Sequence, residues 1–582
     1  MSTMSPAPSQ VSTTTSPGPI ERRYWKKVRG NSGSGRVVVV VGMGSAMRVL
    51  SRRVLRIPCL SAKWSLTCCQ DWFLLHREWI LRPNIVSFPA CCHGAGQQQL
   101  SNKGRHVVDP DLTNQSEKPS LLRVLGLGMA IAIVVGNVIG SGIFAKPGEI
   151  AAAGRTFPLI ITAWIVGGVL SFLGALCFAE LSAMLPQAGG MYVYLQKAYG
   201  RCVGFLQGWS WFLFTKPASL GALSMIFVEH LEAVVGIEIS TPGAIGLAVV
   251  LISGLALINV IGVLWGGWVQ NITTVVKVGF VLFVACLPYL VSFFGEGGFS
   301  AELFAQSLPV TEELSSLTGR FAIVLLAVMW AYNGWHGVTP VAEEIRDPGR
   351  NIPRALLFGT VILTVLYVSA NVAYHSVVPM SEMAEPDNQE RVAVLMFDRL
   401  LGPRGAMLIA LGVMISTFGA INSNMLLGPR VPFAMGRDDP LLKWLGAVNP
   451  RFRTPARAII LQGVMGVLML IGSACLVRWV PSLQGKSMFS ILTGYIIFAS
   501  SLFYMLTVAA VLVLRRKMPS AERPFRCPTL VPFLYLAFYS WFLYNVYRNK
   551  PVEANIGILL NLSGLPVFLA GLWWARRRGG ES

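Results

Sequence analysis

From Leu121 onward the chain is a succession of long apolar runs separated by short polar stretches. Runs of roughly 20 apolar residues match the length of an α-helix that crosses a ~30 Å hydrocarbon layer. The pattern predicts about twelve such spans, near 122–152, 157–184, 203–234, 243–264, 268–294, 319–346, 354–378, 404–427, 455–477, 487–514, 529–547 and 553–575. A transmembrane barrel would show short alternating segments instead. The expected fold is therefore an all-α polytopic membrane protein.

Residues 1–118 do not share this pattern. They mix Ser/Thr/Pro stretches, scattered Arg and Lys, and the adjacent pairs Cys68–Cys69 and Cys91–Cys92. Their one apolar run, 37–41, is too short to span and too far in for a secretion signal. The segment reads as a disordered tail or as the product of an over-long start, with a small folded domain as the third alternative. All the motifs described below follow it, so its removal is expected to leave the spanning domain, 119–578, intact.

Composition supports the membrane reading. The chain is 53% hydrophobic and 13% charged, with a mean hydropathy of +0.57. The net charge of +20 resembles a nucleic-acid signal, but about half of it precedes residue 121. Most of the remainder falls in alternate loops: Arg346, Arg350 and Arg354 after span 6; Arg430, Arg437 and Lys443 after span 8; Arg515, Arg516 and Lys517 after span 10. That asymmetry marks the cytoplasmic side, and it puts both termini there. Lys146 and Arg155 run against it and are outvoted. No nucleic-acid partner is expected. The ten cysteines form no disulfide framework, and no Cys/His cluster has metal spacing, so no metal or cofactor is expected.

Two spans are interrupted. Span 1 contains GNVIGSGIF (136–144) and span 6 contains WAYNGWHG (330–337). Each glycine weakens a helix interior by about 1 kcal/mol. Close helix packing through small residues would explain either alone. Together they fall at matching positions if spans 1–5 and 6–10 are two repeats of inverted topology, and such a pair points to a transporter's central site. Backbone groups freed near the midplane need a partner. Free N–H groups at the second half of span 1 suit a carboxylate, and free carbonyls in span 6 suit an ammonium. Neither break contains a charged side chain.

Four motifs in order, GNVIGSGIF (136–144), FAELSAMLPQAGGMYVYL (178–195), NITTVVKVG (271–279) and WAYNGWHGVTPVAEEIRDPGRNIPRA (330–355), resemble the amino acid–polyamine–organocation permeases. The chain looks most similar to the L-type amino acid transporter branch and its bacterial relatives, over about 121–575. The resemblance implies a LeuT-like inverted 5+5 repeat, 121–294 and 319–514, plus two further helices in 529–575. It implies that Ile139, Gly140, Ser141 and Gly142 supply carboxylate-binding amides. Carbonyls of Trp330, Ala331 and Asn333 would take the ammonium, and Trp330 would gate the site. His336 follows the break and is a candidate for the side-chain pocket or a structural histidine.

Lys277 lies well inside span 5. An intramembrane lysine is costly and by default functional, unless it snorkels to an interface. The resemblance puts it where sodium-coupled cousins bind a cation, so sodium independence is expected. It could tie span 1 to span 5 or exchange a proton, with Ser416 and Thr417 as candidate neighbours. Glu180, Glu343 and Glu344 sit near cytoplasmic span ends, where the family uses such groups in gating ion pairs. Animal members of the branch carry a partner-linking cysteine between spans 3 and 4. The loop here, 235–242, has none, so no disulfide-linked partner subunit is expected.

The reading is a secondary active transporter of L-amino acids, an exchanger or proton-coupled, in the plasma (inner) membrane. A transport-inactive amino acid receptor and a polyamine or organocation permease are the alternatives. A channel lacks a filter motif, and a membrane enzyme lacks a nucleophile–His–acid set. No P-loop is present.

Overall fold

The computed structural model describes residues 120–295, 297–310, 316–479 and 496–579. The expectation for 1–118 and the start of span 10 lie outside them. The described residues are helical, and twelve helices among them are long and apolar enough to cross a membrane. They are span 1 (Leu127–Ala145), span 2 (Phe157–Met184), span 3 (Arg201–Val235), span 4 (Thr241–Ile261), span 5 (Val263–Phe294), span 6 (Leu317–Glu344), span 7 (Pro348–His375), span 8 (Pro403–Asp438), span 9 (Ala456–Cys475), span 10 (Ile497–Lys517), span 11 (Leu530–Asn549) and span 12 (Ala554–Trp573).

The surface is inverted relative to a water-soluble protein. On span 5, Val275 is 72% exposed while Lys277, two residues on, is 2% exposed. Apolar side chains such as Val250, Phe293 and Val365 face outward, while Asn259, Gln270, Asn371 and Asn422 are buried. This is the arrangement a lipid solvent favours.

Spans 1 and 6 are broken, as expected. Span 1 is helical over Leu127–Val138, leaves helical geometry at Ile139 (ψ 90°), and resumes as the short turn Gly142–Ala145. Span 6 is α-helical over Leu317–Ala331, turns at Gly334 (φ 105°), and continues as a 3₁₀ segment, Trp335–Glu344, with Val341 off helical geometry. Gly334 needs its missing side chain twice over: that φ is left-handed, and a Cβ there would lie 2.3 Å from Asn137 Nδ2.

Three further irregularities were not expected. Span 3 contains a π-helical turn, Trp211–Thr215, directly before Lys216 and Pro217. Proline cannot donate and its ring crowds the carbonyl four residues back, so the helix widens, and the Lys216 N–H reaches the Trp211 carbonyl instead. Span 8 is interrupted at Gly428 and Pro429, and a second helix, Arg430–Asp438, extends it past the predicted end at 427. Span 5 begins at Val263, earlier than the predicted 268.

The broken spans are enclosed by the others. Span 7 packs against spans 1, 2 and 5, and span 8 packs against spans 3 and 5. At one end the two broken spans join by backbone bonds: Leu125 N–H donates to the Glu344 carbonyl and Arg346 N–H to the Leu125 carbonyl, each at 2.9 Å.

Candidate functional site

The break in span 1 leaves both kinds of backbone group without helical partners. Its carbonyls are taken by side chains from three neighbours. Lys277 Nζ of span 5 donates to the carbonyls of Gly136 (2.9 Å) and Ile139 (2.7 Å). Ser416 Oγ of span 8 donates to those of Ile139 (3.2 Å) and Gly140 (3.0 Å). Tyr367 of span 7 donates its hydroxyl to Val138 at 3.0 Å. Thr274, one turn before Lys277, donates to Ala132 at 3.0 Å. Gln270, Thr274 and Lys277 thus form one polar stripe along span 5 at helical spacing, facing span 1.

The N–H groups have no such partners. Among the described residues, those of Gly140, Ser141 and Gly142 donate to no backbone or side-chain acceptor. Consecutive donors at a helix start normally find a cap, water or a ligand. In span 6 the Trp330 carbonyl accepts from Asn333 N–H at 3.0 Å. The carbonyls of Ala331 and Asn333 accept nothing among the described residues.

These free groups line one cavity of about 70 Å³. Gly140, Ser141, Gly142, Trp330, Ala331, Asn333 and His336 all border it. The two breaks touch: a Cβ on Gly142 would lie 2.9 Å from Ala331 Cα. Asn137 bridges them, donating to the Gly334 carbonyl at 2.8 Å. Ile139, expected to supply a fourth amide, does not: its N–H closes the last helical turn on the Val135 carbonyl at 2.9 Å, and its carbonyl goes to Lys277 and Ser416. His336 is 1% exposed, ringed by Phe178, Trp211, Trp335 and Tyr504, and neither ring nitrogen has a partner among the described residues. Lys277 does not border the cavity; it lies behind the break. Thr417 bonds only to its own helix, at Val413 and Met414, and is not part of the site.

The three glutamates each meet arginines. Glu180 is bonded by Arg515 at 2.9 Å through Nε, lies 3.5 Å from Arg523, and accepts from Cys527 N–H. Glu343 pairs with Arg437 at 2.7 Å and caps Ala188 N–H. Glu344 and Arg430 form a two-pronged pair at 2.8 and 3.0 Å, both side chains fully buried. Of the four arginine partners, Arg430 and Arg437 lie on the last helix of span 8, Arg515 in the last turn of span 10, and Arg523 just after it. A second cavity of about 380 Å³ reaches Ser141 from elsewhere, bordered by Phe144, Glu229, His230, Glu390 and Arg391.

A model of the amino acid permease family matches residues 125–571. The chain belongs to that family. The permease is 31% identical to the serine/threonine exchanger SteT of Bacillus subtilis over 458 residues, 78% of this chain and 98% of that one. It is 30% identical to the mouse Asc-type amino acid transporter 1 over 465 residues, 79% of this chain and 83% of that one. It is 31% identical to the human b(0,+)-type amino acid transporter 1 over 457 residues, 78% of this chain and 89% of that one. It is an integral membrane protein and a secondary amino acid transporter.

Sequence reasoning missed several groups that border the permease's central cavity. Asn137 bridges the two breaks. Tyr504 of span 10 donates to Asn333 Oδ1 at 2.9 Å. Lys216 and Asn424 bond to each other at 2.7 Å. Lys216 carried a legible signal, since it too is a lysine within an apolar run. Asn424 and Tyr504 did not, because only the packing of spans 8 and 10 brings them to the site.

Proposed function

We propose that the permease exchanges small L-amino acids by alternating access, holding the backbone ends of its substrate at the two breaks. The observation that carries this reading is the set of uncapped donors at Gly140, Ser141 and Gly142 facing uncapped carbonyls at Ala331 and Asn333 across one cavity. Donors of that kind suit a carboxylate, and the carbonyls suit an ammonium. Trp330 borders the same cavity and serves as the gate that closes over bound substrate. Lys277 fixes span 1 to span 5 and replaces a cation. The glutamate–arginine pairs hold the cytoplasmic side shut, while the larger cavity at Ser141 is the outer approach. The inverted repeat relates the two broken spans. Both termini are cytoplasmic, the membrane is the plasma membrane, and no disulfide-linked subunit is needed.

Competition against a labelled amino acid in reconstituted vesicles tests the recognition. Methyl esters and decarboxylated amines of a substrate should compete poorly, since each lacks one end. If the amine competes as well as the parent amino acid, a polyamine or organocation is the better substrate class. Trans-stimulated exchange separates a transporter from a receptor, which would bind without flux.

A further inference from the structure

Lys216 is 7% exposed, and the roles above do not use it. Its ammonium lies 2.7 Å from Asn424 Oδ1 and 4.5 Å over the Trp211 ring. Among the described residues it has no carboxylate within ion-pair distance. An ammonium has three protons to donate, and one neutral acceptor plus a ring face leaves it under-satisfied. Unlike Lys277, whose two carbonyl partners lie behind the break, Lys216 borders the central cavity.

Its place along the helices is informative. Beside Gly140 the cavity wall is Ala420 of span 8 and Leu223 of span 3, each 3.8 Å from where a Cβ would stand. Asn424 is one helical turn from Ala420, a rise of about 6 Å, and Lys216 is two turns from Leu223, about 10 Å. Ser219 lies between, on the same face of span 3, and also borders the cavity. A polar end therefore sits one to two turns from the amide cradle. That separation suits the reach from the carboxylate of a short amino acid to an oxygen on its side chain.

We propose that Lys216, held by Asn424, is the specificity-determining residue of the side-chain subsite, donating to a hydroxyl or amide oxygen on the substrate. This deepens, and rests on, the two-ended recognition proposed above. The site then selects short oxygen-bearing side chains over apolar ones of equal shape. A site built to hydrogen-bond a side chain rejects the analogue that lacks it, because its own donor is left unpaired.

The test uses the full chain in liposomes, with competition of threonine against valine and of serine against alanine for uptake of labelled alanine. In the unaltered protein threonine should outcompete valine by roughly tenfold, the worth of one hydrogen bond to a charged group. Lys216→Met should bring that ratio close to one. A merely structural role would weaken both members of the pair together and leave the ratio unmoved, which would overturn the proposal. Asn424→Asp keeps the shape and gives Lys216 a counter-charge. It should also collapse the ratio, and it serves if Lys216→Met does not fold. Equal competition by threonine and valine in the unaltered protein overturns this inference while leaving the transport reading standing. Absence of alanine uptake, with no competition by any of the twenty amino acids for binding, overturns both.

Discussion

The Lys277 ammonium lies 2.7 Å from the Ile139 carbonyl oxygen, at the residue where span 1 leaves its helix. A second bond, to Gly136, means that one side chain reaches two of the carbonyls freed at the break, sharing Ile139 with Ser416. The lysine is thus a structural substitute for the missing turn as well as a fixed charge. Lys277→Met leaves the buried Gly136 carbonyl without a donor, at about 1–3 kcal/mol, and leaves the Ile139 carbonyl to Ser416 alone. The variant should melt at lower temperature and lose transport, as followed by thermal size-exclusion and vesicle uptake. Retained stability would show that water replaces the ammonium at Gly136.

A fixed cation behind the break also bears on coupling. Sodium bound at the same carbonyls would meet a like charge at close range. Replacing sodium by choline should therefore leave uptake unchanged. A steep sodium dependence would remove the coupling role from Lys277.

The two cradle glycines should behave differently. At Gly140 an added methyl finds ordinary contacts of 3.8 Å, whereas at Gly142 it would meet Ala331 Cα at 2.9 Å. Gly140→Ala should fold and weaken all substrates together, since it narrows the carboxylate's approach and touches no side-chain pocket. Gly142→Ala should lower the yield of folded protein as well. Expression and competition profiles of both variants check this. A Gly140→Ala protein that changes the preference among substrates would contradict the backbone-end assignment.

The arginine–glutamate pairs should rank by burial. Arg430→Met leaves Glu344 charged and buried, a change that typically costs about 3–5 kcal/mol. Arg437→Ala opens a partly exposed pair worth at most about 1 kcal/mol, so stability should barely change. If the pair nonetheless helps close the cytoplasmic side, reagents applied from that side should label cysteines placed along the inner route faster in Arg437→Ala. Equal labelling rates would limit Glu343 to a surface role.

The sequence revealed the two breaks because glycines and polar groups in an apolar run are conspicuous without any partner in view. It revealed Lys277 for the same reason. The rule applied there would have flagged Lys216 equally, whose Thr-Lys-Pro setting also foretells the π turn. What it could not show was pairing across the fold. Asn424 meets Lys216 across 208 positions, Tyr504 meets Asn333 across 171, and nothing local distinguishes them from other polar residues within apolar helices. The extension of span 8 was missed because Gly428-Pro429 reads as a stop, and tertiary packing restarts the helix beyond it.

The 3₁₀ character of Trp335–Glu344 sets a length as well as a shape. At about 2.0 Å per residue the six residues before the kink at Val341 cover roughly 12 Å, where an α-helix would cover roughly 9 Å. The segment is a stretched connector kinked at Val341, with the cavity at one end, at His336, and the Glu343 and Glu344 pairs at the other. Rewinding those six residues would draw the kink about 3 Å closer to the cavity. Because Glu344 is bonded to Arg430 and its carbonyl to Leu125, such a contraction would pull on span 8 and on the foot of span 1 at once.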